Sequence, residues 1–554
     1  MPEVKLPGFG FPLDYHYGFI EIYHPHILQQ EDVQLIEKWC TYREILIMRV
    51  MNDITDEPEW NRKVFDEAIT AKWRSEIVAS DKDITPNMID WIIDEVKWKV
   101  DHYLATGHVV VFDPGVVKSD IAISEELQNA LKDGVRKLED IRTEKDYHPG
   151  SGDKVVDLVH PSLFPVVFGR TRAISDSLIK LERCLDIIGQ GIVIPVPEEE
   201  SFTSDGLKQY SWQFQWLPCD VDLLDNGSCA IVSYINNLHP QQNARLYHVI
   251  EKIIAQVIPL WNTTLTCVGL NYLRIPYNGV ERESSGDDSS EDEQSRQVKT
   301  IKVPEPGKFS PPRWNSSKFD LHDEFRDTGL QIIVKLANIE LTPEKPEYYG
   351  GAWHVKGQLN EHICATAIYY YDSENITEST LSFRQRVNTM VDLKWEEDFD
   401  QMLQKVFGFP ESAFGDESMN VTQELGSVVT KEGRLLTFPN ILQHRVSPFS
   451  LADRSMPGHR KILALLLVDP YLPIISSSNV PPQQENWAME RERSIRQALR
   501  PLPQELKDMV YDDLDTRYMT IIEAKAFRLE LMEERSAAAF EQNENFQNGG
   551  FIFV

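Results

Sequence analysis

Residues 329–341 read GLQIIVKLANIEL, and stretches of the same kind follow at 362–372 (HICATAIYYYD), 380–387 (TLSFRQRV), 433–439 (GRLLTFP) and 460–470 (RKILALLLVDP). Each is short, rich in β-branched and aromatic side chains, and bounded by turn residues, which is the pattern of strands closing on a core. Residues 329–470 therefore read as an all-β module inside a domain spanning 301–480.

On either side the period of the apolar residues changes. In EWNRKVFDEAITAKWRSEIVAS, Trp60, Val64, Ala68, Ile69, Trp73 and Ile77 share one helical stripe. Thr85-Pro86 offers an N-cap and a first-turn proline to a second helix carrying Ile89, Ile92, Ile93, Val96 and Val100. Leu127, Leu131, Val135 and Leu138 mark a third, so residues 1–150 form a mostly helical region. Residues 151–280 mix short apolar runs with Pro and Gly and contain one clear helix, NARLYHVIEKIIAQVIPLW. His160, His239 and His248 lie there without ligand-spaced partners, and no chemistry is assigned to them. ERESSGDDSSEDEQSRQ, at 281–297, has almost nothing apolar to offset its ordering entropy, so 281–300 is expected to be a mobile acidic linker. Residues 481–545 return to helix, and 546–554 read as a frayed tail.

Composition narrows the function classes. The 554 residues include 87 Asp and Glu against 56 Lys and Arg, a formal charge of −31, which repels nucleic acid and anionic lipid. No run of eighteen apolar residues and no signal-like start occur, so an intracellular protein without membrane contact, cytoplasmic or nuclear, is expected. Cys40, Cys184, Cys219, Cys229, Cys267 and Cys364 show no paired spacing and read as buried free thiols.

Within the β module two histidines stand at strand edges, His354 in YYGGAWHVKG and His444 in FPNILQHRVSPF, and Arg460 opens the last strand 16 residues after His444. This order resembles the iron(II)- and 2-oxoglutarate-dependent oxygenases. Over nearly its full length the chain also resembles a large fungal family of the domain-of-unknown-function 4246 type. The resemblance implies an α+β chain around a double-stranded β-helix, or jelly roll. It further implies His354 and His444 as iron ligands, Arg460 as the partner of 2-oxoglutarate, with Arg454 in reserve, and an unknown small-molecule or protein substrate. A planar guanidinium suits the far carboxylate of that cosubstrate, and two imidazoles with one carboxylate suit the metal.

One position departs from the pattern. Two residues after His354, where the oxygenases carry Asp or Glu, stands Lys356. An ammonium about 4 Å from iron(II) would be repelled by roughly 8 kcal/mol at an effective dielectric of 20, equivalent to a depression of roughly six pKa units. Glu361 and His362 are the nearest replacement ligands. The residues thus leave open a dioxygenase with a recruited ligand, a pseudoenzyme that binds or scaffolds, and a metal-independent carboxylate site using Lys356 and Arg460. Tyr348, Tyr349, Tyr369, Tyr370 and Tyr371 read as core and rim packing.

Overall fold

The computed structural model describes residues 39–553 apart from 81–82, 142–144, 176, 198–210, 269–271, 278–300, 313–318, 388–389, 392–398, 410–418, 489–496, 498–500, 502, 508–517 and 550–551. The acidic stretch 281–297 lies outside the described residues, as does most of the helical sequence at 485–499 and 503–514.

Local chemistry sets the helix ends near the N-terminus. Thr85 caps Pro86–Thr106 by accepting the Met88 amide at 3.4 Å, and Gly107 closes the helix at φ +74°. The stripe from Trp60 to Ile77 is not one helix, as its periodicity predicts, but two, Trp60–Lys63 and Glu67–Val78. The Asp66 carboxylate accepts the Ala68 and Ile69 amides at 2.9 and 3.2 Å and so starts a fresh helix in mid-pattern.

The chain is a mixed α and β structure built on a large antiparallel sheet. From edge to edge its strands are Val109–Phe112, Val116–Ser119, Leu435–Pro439, Ile363–Glu374, Gly458–Val468, Leu330–Leu341, Cys219–Leu223 and Cys229–Ile231, and Val155–Val159 also pairs with Leu330–Leu341. A three-stranded sheet, Thr422–Val429, Thr380–Arg386 and Gln443–Val446, faces it. Phe383 bridges the two, with ring centroids 5.1 Å from Phe438 and 6.3 Å from Phe112. The other face of the large sheet is covered by the helix Ala244–Val268, where Thr264 and Thr437 hydroxyls meet at 2.8 Å. Buried on both faces, the central strand Leu330–Leu341 has a nearly continuous apolar run instead of an alternating one. One buried cluster joins Ile47, Trp91, Leu131, Trp261, Leu336 and Leu465, so the N-terminal helices and the sheets share a core.

At the C-terminal end Ile552–Phe553 pairs in parallel with Met390–Val391, which corrects the frayed tail read from the sequence. Unpaired strand edge is available there, and short-range composition carries no signal of it. All six cysteines are buried, and no disulfide joins them. Among the described residues no helix is long and apolar enough to cross a membrane.

Two buried groups carry measurable consequences. Arg274 is clamped between Glu95, at 2.6 and 2.8 Å, and Asp113, at 3.0 Å, while its own amide donates to Glu44 at 2.7 Å. Replacing it with methionine leaves buried carboxylates unanswered, and Arg274→Met is expected to lower the unfolding free energy in urea by about 3–5 kcal/mol. His108, 1% exposed, lies 2.8 Å from Thr263 Oγ1, and burial followed by the neighbouring His102 lowers its pKa to about 4. Between about pH 6.5 and pH 4 the unfolded chain takes up this proton and the fold does not, so stability falls as pH falls. From pH 7 to pH 5 this one ring accounts for about 2 kcal/mol, and His108→Asn should flatten the acid limb of the stability profile by that amount.

Candidate functional site

Two glycines bring the site together. At Gly350, φ +84°, a side chain would stand 2.7 Å from the Val446 carbonyl oxygen, so only glycine lets residues 350–354 run this close to the strand Gln443–Val446. His354 and His444 then exchange backbone hydrogen bonds of 3.2 and 3.0 Å as an isolated antiparallel bridge. The His354 to Lys356 stretch is not the continuous strand its spacing predicts. Gly357, φ +73°, turns the chain away, and Asn440 holds both the amide and the carbonyl of Lys356 at 2.9 Å.

The two imidazoles lie with centroids 4.4 Å apart, and Phe438 sits 4.7 Å from His444. His354 Nδ1 is 2.9 Å from the Ala352 carbonyl, which can only accept, so this nitrogen carries the proton and Nε2 is the acceptor. Lys356 Nζ stands 3.0 Å from that Nε2. Burial, then the lysine, lowers the His354 pKa to about 3, and burial puts His444 well below its ordinary range. Burial, then Lys335, lowers Lys356 to about 7. Neither ring nitrogen of His444, which is 1% exposed, has a hydrogen-bond partner among the described residues.

Lys335 is the residue that sequence reasoning missed. It points to the same face as its register partner Ala464 and as Ile368 beyond it, and its charge acts on both His354 and Lys356. The signal lay in the opening stretch itself: a single lysine in the middle of an otherwise apolar central strand. Arg460, 2% exposed, reaches from the large sheet toward the small one, donating to Ser379 Oγ at 2.8 Å and Thr430 Oγ1 at 3.2 Å beneath the Phe449 ring. Among the described residues no carboxylate pairs with it, and its Nε has no partner. His444 is in register with Phe383, four residues past Ser379, so Arg460 lies roughly 13 Å along the same interior from the histidine pair. Arg454, the reserve, is exposed and pairs with Glu347 at 2.9 Å.

A cavity of about 480 Å³ opens on this cluster, walled on one side by residues 352–358 and on the other by Arg535 to Asn543 of the helix Ile521–Gln547. Lys356, His354 and Arg535 line it, and no aspartate or glutamate does among the described residues. On its wall Trp353 is flanked by Arg384 and Arg445, at 4.9 and 4.5 Å from the ring centroid. For a chain of charge −31 this is a locally basic chamber.

These groups do not fit iron(II). Lys356 Nζ and His354 Nε2 bond to each other where a metal would need both lone pairs, and Lys335 adds repulsion. Glu361 is fully buried, but its carboxylate is spent on the Trp216 amide at 2.7 Å, the Gln358 amide at 3.0 Å and the Arg535 guanidinium. His362 closes the turn Leu359–Glu361 at φ +46° and, like Glu361, forms no three-ligand set with the histidine pair. One such set does exist among the described residues, His148, Asp157 and His160, with its ligand atoms within 4.8 Å. There the Ser162 amide donates to His160 Nδ1 at 3.1 Å, leaving the proton on the nitrogen that faces Asp157, and Arg528 stands 3.8 Å from the carboxylate. That set is a hydrogen-bonded ion cluster. Tyr369, Tyr370 and Tyr371 are buried packing, and Tyr349 is exposed.

Arg535 also lies 3.7 Å from the Trp216 ring centroid, so Glu361 and Trp216 together fasten the chamber's outer wall. Glu361→Gln removes the counter-ion of this half-buried arginine, and faster proteolysis within 521–547 is expected, together with a loss of about 3 kcal/mol on unfolding in urea.

Two solved structures bear a remote likeness to the chain. The bsmA homologue from Methylobium petroleophilum PM1 matches at 9% identity and TM-score 0.24, covering 66% of this chain and 91% of its own. The Fe(II)/(alpha)ketoglutarate-dependent dioxygenase TqaL matches at 9% identity and TM-score 0.24, covering 71% and 96%. No curated protein matches. The family described as protein of unknown function (DUF4246) matches residues 86–491, and the domain of unknown function DUF4246, N-terminal, matches 6–76. The chain belongs to the DUF4246 family.

Proposed function

We propose that the two facing sheets are the halves of a double-stranded β-helix and that this oxygenase-like fold is used without metal, as a module that binds a carboxylate-bearing small molecule. The observation that carries the reading is the 3.0 Å contact of Lys356 Nζ with His354 Nε2, which puts a basic group where the oxygenase pattern has an acidic ligand. Lys356 and Arg460 then form a set of buried cations with no carboxylate acting on them among the described residues, while Asp157 acts on Lys335. A carboxylate-bearing acid in the cavity would meet the Lys356 end of this set, the Arg460 guanidinium lying deeper in the interior. In this reading the protein is a pseudoenzyme with respect to oxygen chemistry, and nucleic acid and membranes are not its partners.

Calorimetric titration with 2-oxoglutarate and with succinate tests this. Both acids are expected to bind wild type equally well in excess chelator, and Lys356→Ala should weaken binding by about tenfold or more. Lys356→Asp supplies the missing anionic ligand beside the two imidazoles, and manganese(II) or iron(II) affinity should rise from undetectable to measurable. Binding of 2-oxoglutarate that requires added iron(II), or succinate release from it by wild type, would replace this reading with that of a working dioxygenase.

A further inference from the structure

We propose that the cleft between the helices Pro86–Thr106 and Ala244–Val268 is a second binding site, which takes an uncharged two-ring aromatic molecule carrying an N–H or O–H donor. The cleft has a volume of about 270 Å³ and shares no lining residue with the chamber, so it stands apart from the reading given there. Its apolar walls are largely aromatic. Trp98 is packed on Phe309 with centroids 6.4 Å apart, and Phe319 on Phe325 at 6.3 Å, so each ring is held from behind and can offer a face to a flat guest. An apolar cavity of about 150 Å³ holds one benzene ring, and the volume here is therefore that of two fused rings.

The charges that border the cleft are already answered. Arg274 is spent on Glu95 and Asp113, and Lys99 donates to the Val110 carbonyl at 2.9 Å and stands 3.5 Å from Glu95. Asp320 accepts the His322 and Asp323 amides at 2.8 and 3.2 Å. A charged guest would leave water without gaining a counter-ion, whereas an uncharged one loses little. His108 supplies the polar anchor. Its ring borders the cleft, with Nε2 2.8 Å from Thr263 Oγ1. The Thr263 hydroxyl donates its one proton to the Pro259 carbonyl at 3.2 Å, so Nε2–H is the donor of that pair and Nδ1 carries a lone pair. Nδ1 has no hydrogen-bond partner among the described residues, and burial, which keeps the ring neutral, makes an unanswered acceptor costly. A donor on the guest answers it.

Titration of the full chain with indole, 1-methylindole and indole-3-carboxylate tests this. Indole is expected to bind at about 0.1 mM or tighter. 1-Methylindole keeps the rings and loses the donor, and should bind about fivefold or more weakly; the anionic indole-3-carboxylate should bind about tenfold or more weakly. His108→Leu should abolish the preference for indole over 1-methylindole, a ratio read within one protein and so unaffected by a lower melting temperature. Val110→Trp fills the cleft while keeping the backbone carbonyl that Lys99 uses, and should abolish indole binding. Photolabelling of wild type with 5-azidoindole, mapped by mass, locates the guest without any substitution, and label is expected within residues 95–113 and 259–267. No indole binding up to about 1 mM overturns the proposal. Equal affinity of wild type for indole and 1-methylindole does so too, as does label placed elsewhere in the chain.

Discussion

Burial obliges a charge to find its opposite, and most of this chain's interior is arranged around that demand. Arg434, with no exposed surface, is held by Asp120 at 2.7 and 2.8 Å and by Asp56 at 2.7 Å, tying the strand ends of the large sheet to the helix Tyr42–Asp56. Arg274 does the same for the helix Pro86–Thr106, and Arg528 pins the C-terminal helix to Asp146 at 2.8 and 3.0 Å. Lone buried charges cost several kcal/mol, so each of these pairs constrains where its helix can sit. Against that background two cations stand out: Lys356 meets an imidazole, and Arg460 meets hydroxyls and aromatic faces, where carboxylates would be expected. In the proposed reading these two cations are answered by a carboxylate that arrives from outside.

The sheets were the legible part of the sequence, because the signal of a strand is local: β-branched and aromatic runs between turns. The helix caps were legible for the same reason, as Thr85-Pro86 shows. Asp66 was not, since its carboxylate interrupts a stripe whose periodicity continues unbroken through it. The juxtaposition of His354 and His444 was expected only through the resemblance, and the strand assumed between His354 and Lys356 proved to be a single bridge. Its cause, the close approach at Gly350, involves a residue nearly a hundred positions away, and no window of sequence contains both partners. Lys335 was overlooked because one cation in an apolar run reads as noise until the register places it on the inner face.

The role of Glu361 was likewise hidden by distance. From the sequence it is a carboxylate near a histidine and hence a candidate ligand. In the fold its oxygens are consumed by Arg535, 174 residues away, and by two backbone amides. Candidate ligands chosen by proximity in sequence carry this risk generally, because a buried carboxylate is satisfied by whichever cation the tertiary structure delivers.

That delivery also shapes the chamber's outer wall. Near its start the C-terminal helix is held by apolar packing, with Met519, Ala524 and Leu531 buried against Leu163, Phe164 and Phe214. Around the cavity it is held by polar and aromatic contacts: Arg535 on Glu361 and Trp216, Gln358 on Glu534 at 3.0 Å, and Arg384 on Asn543. Apolar burial is lost all at once when surfaces part, whereas water can replace hydrogen bonds one by one as they open, so the net cost per bond is only about 1 kcal/mol. A wall anchored firmly at one end and fastened by exchangeable contacts at the other can open without unfolding.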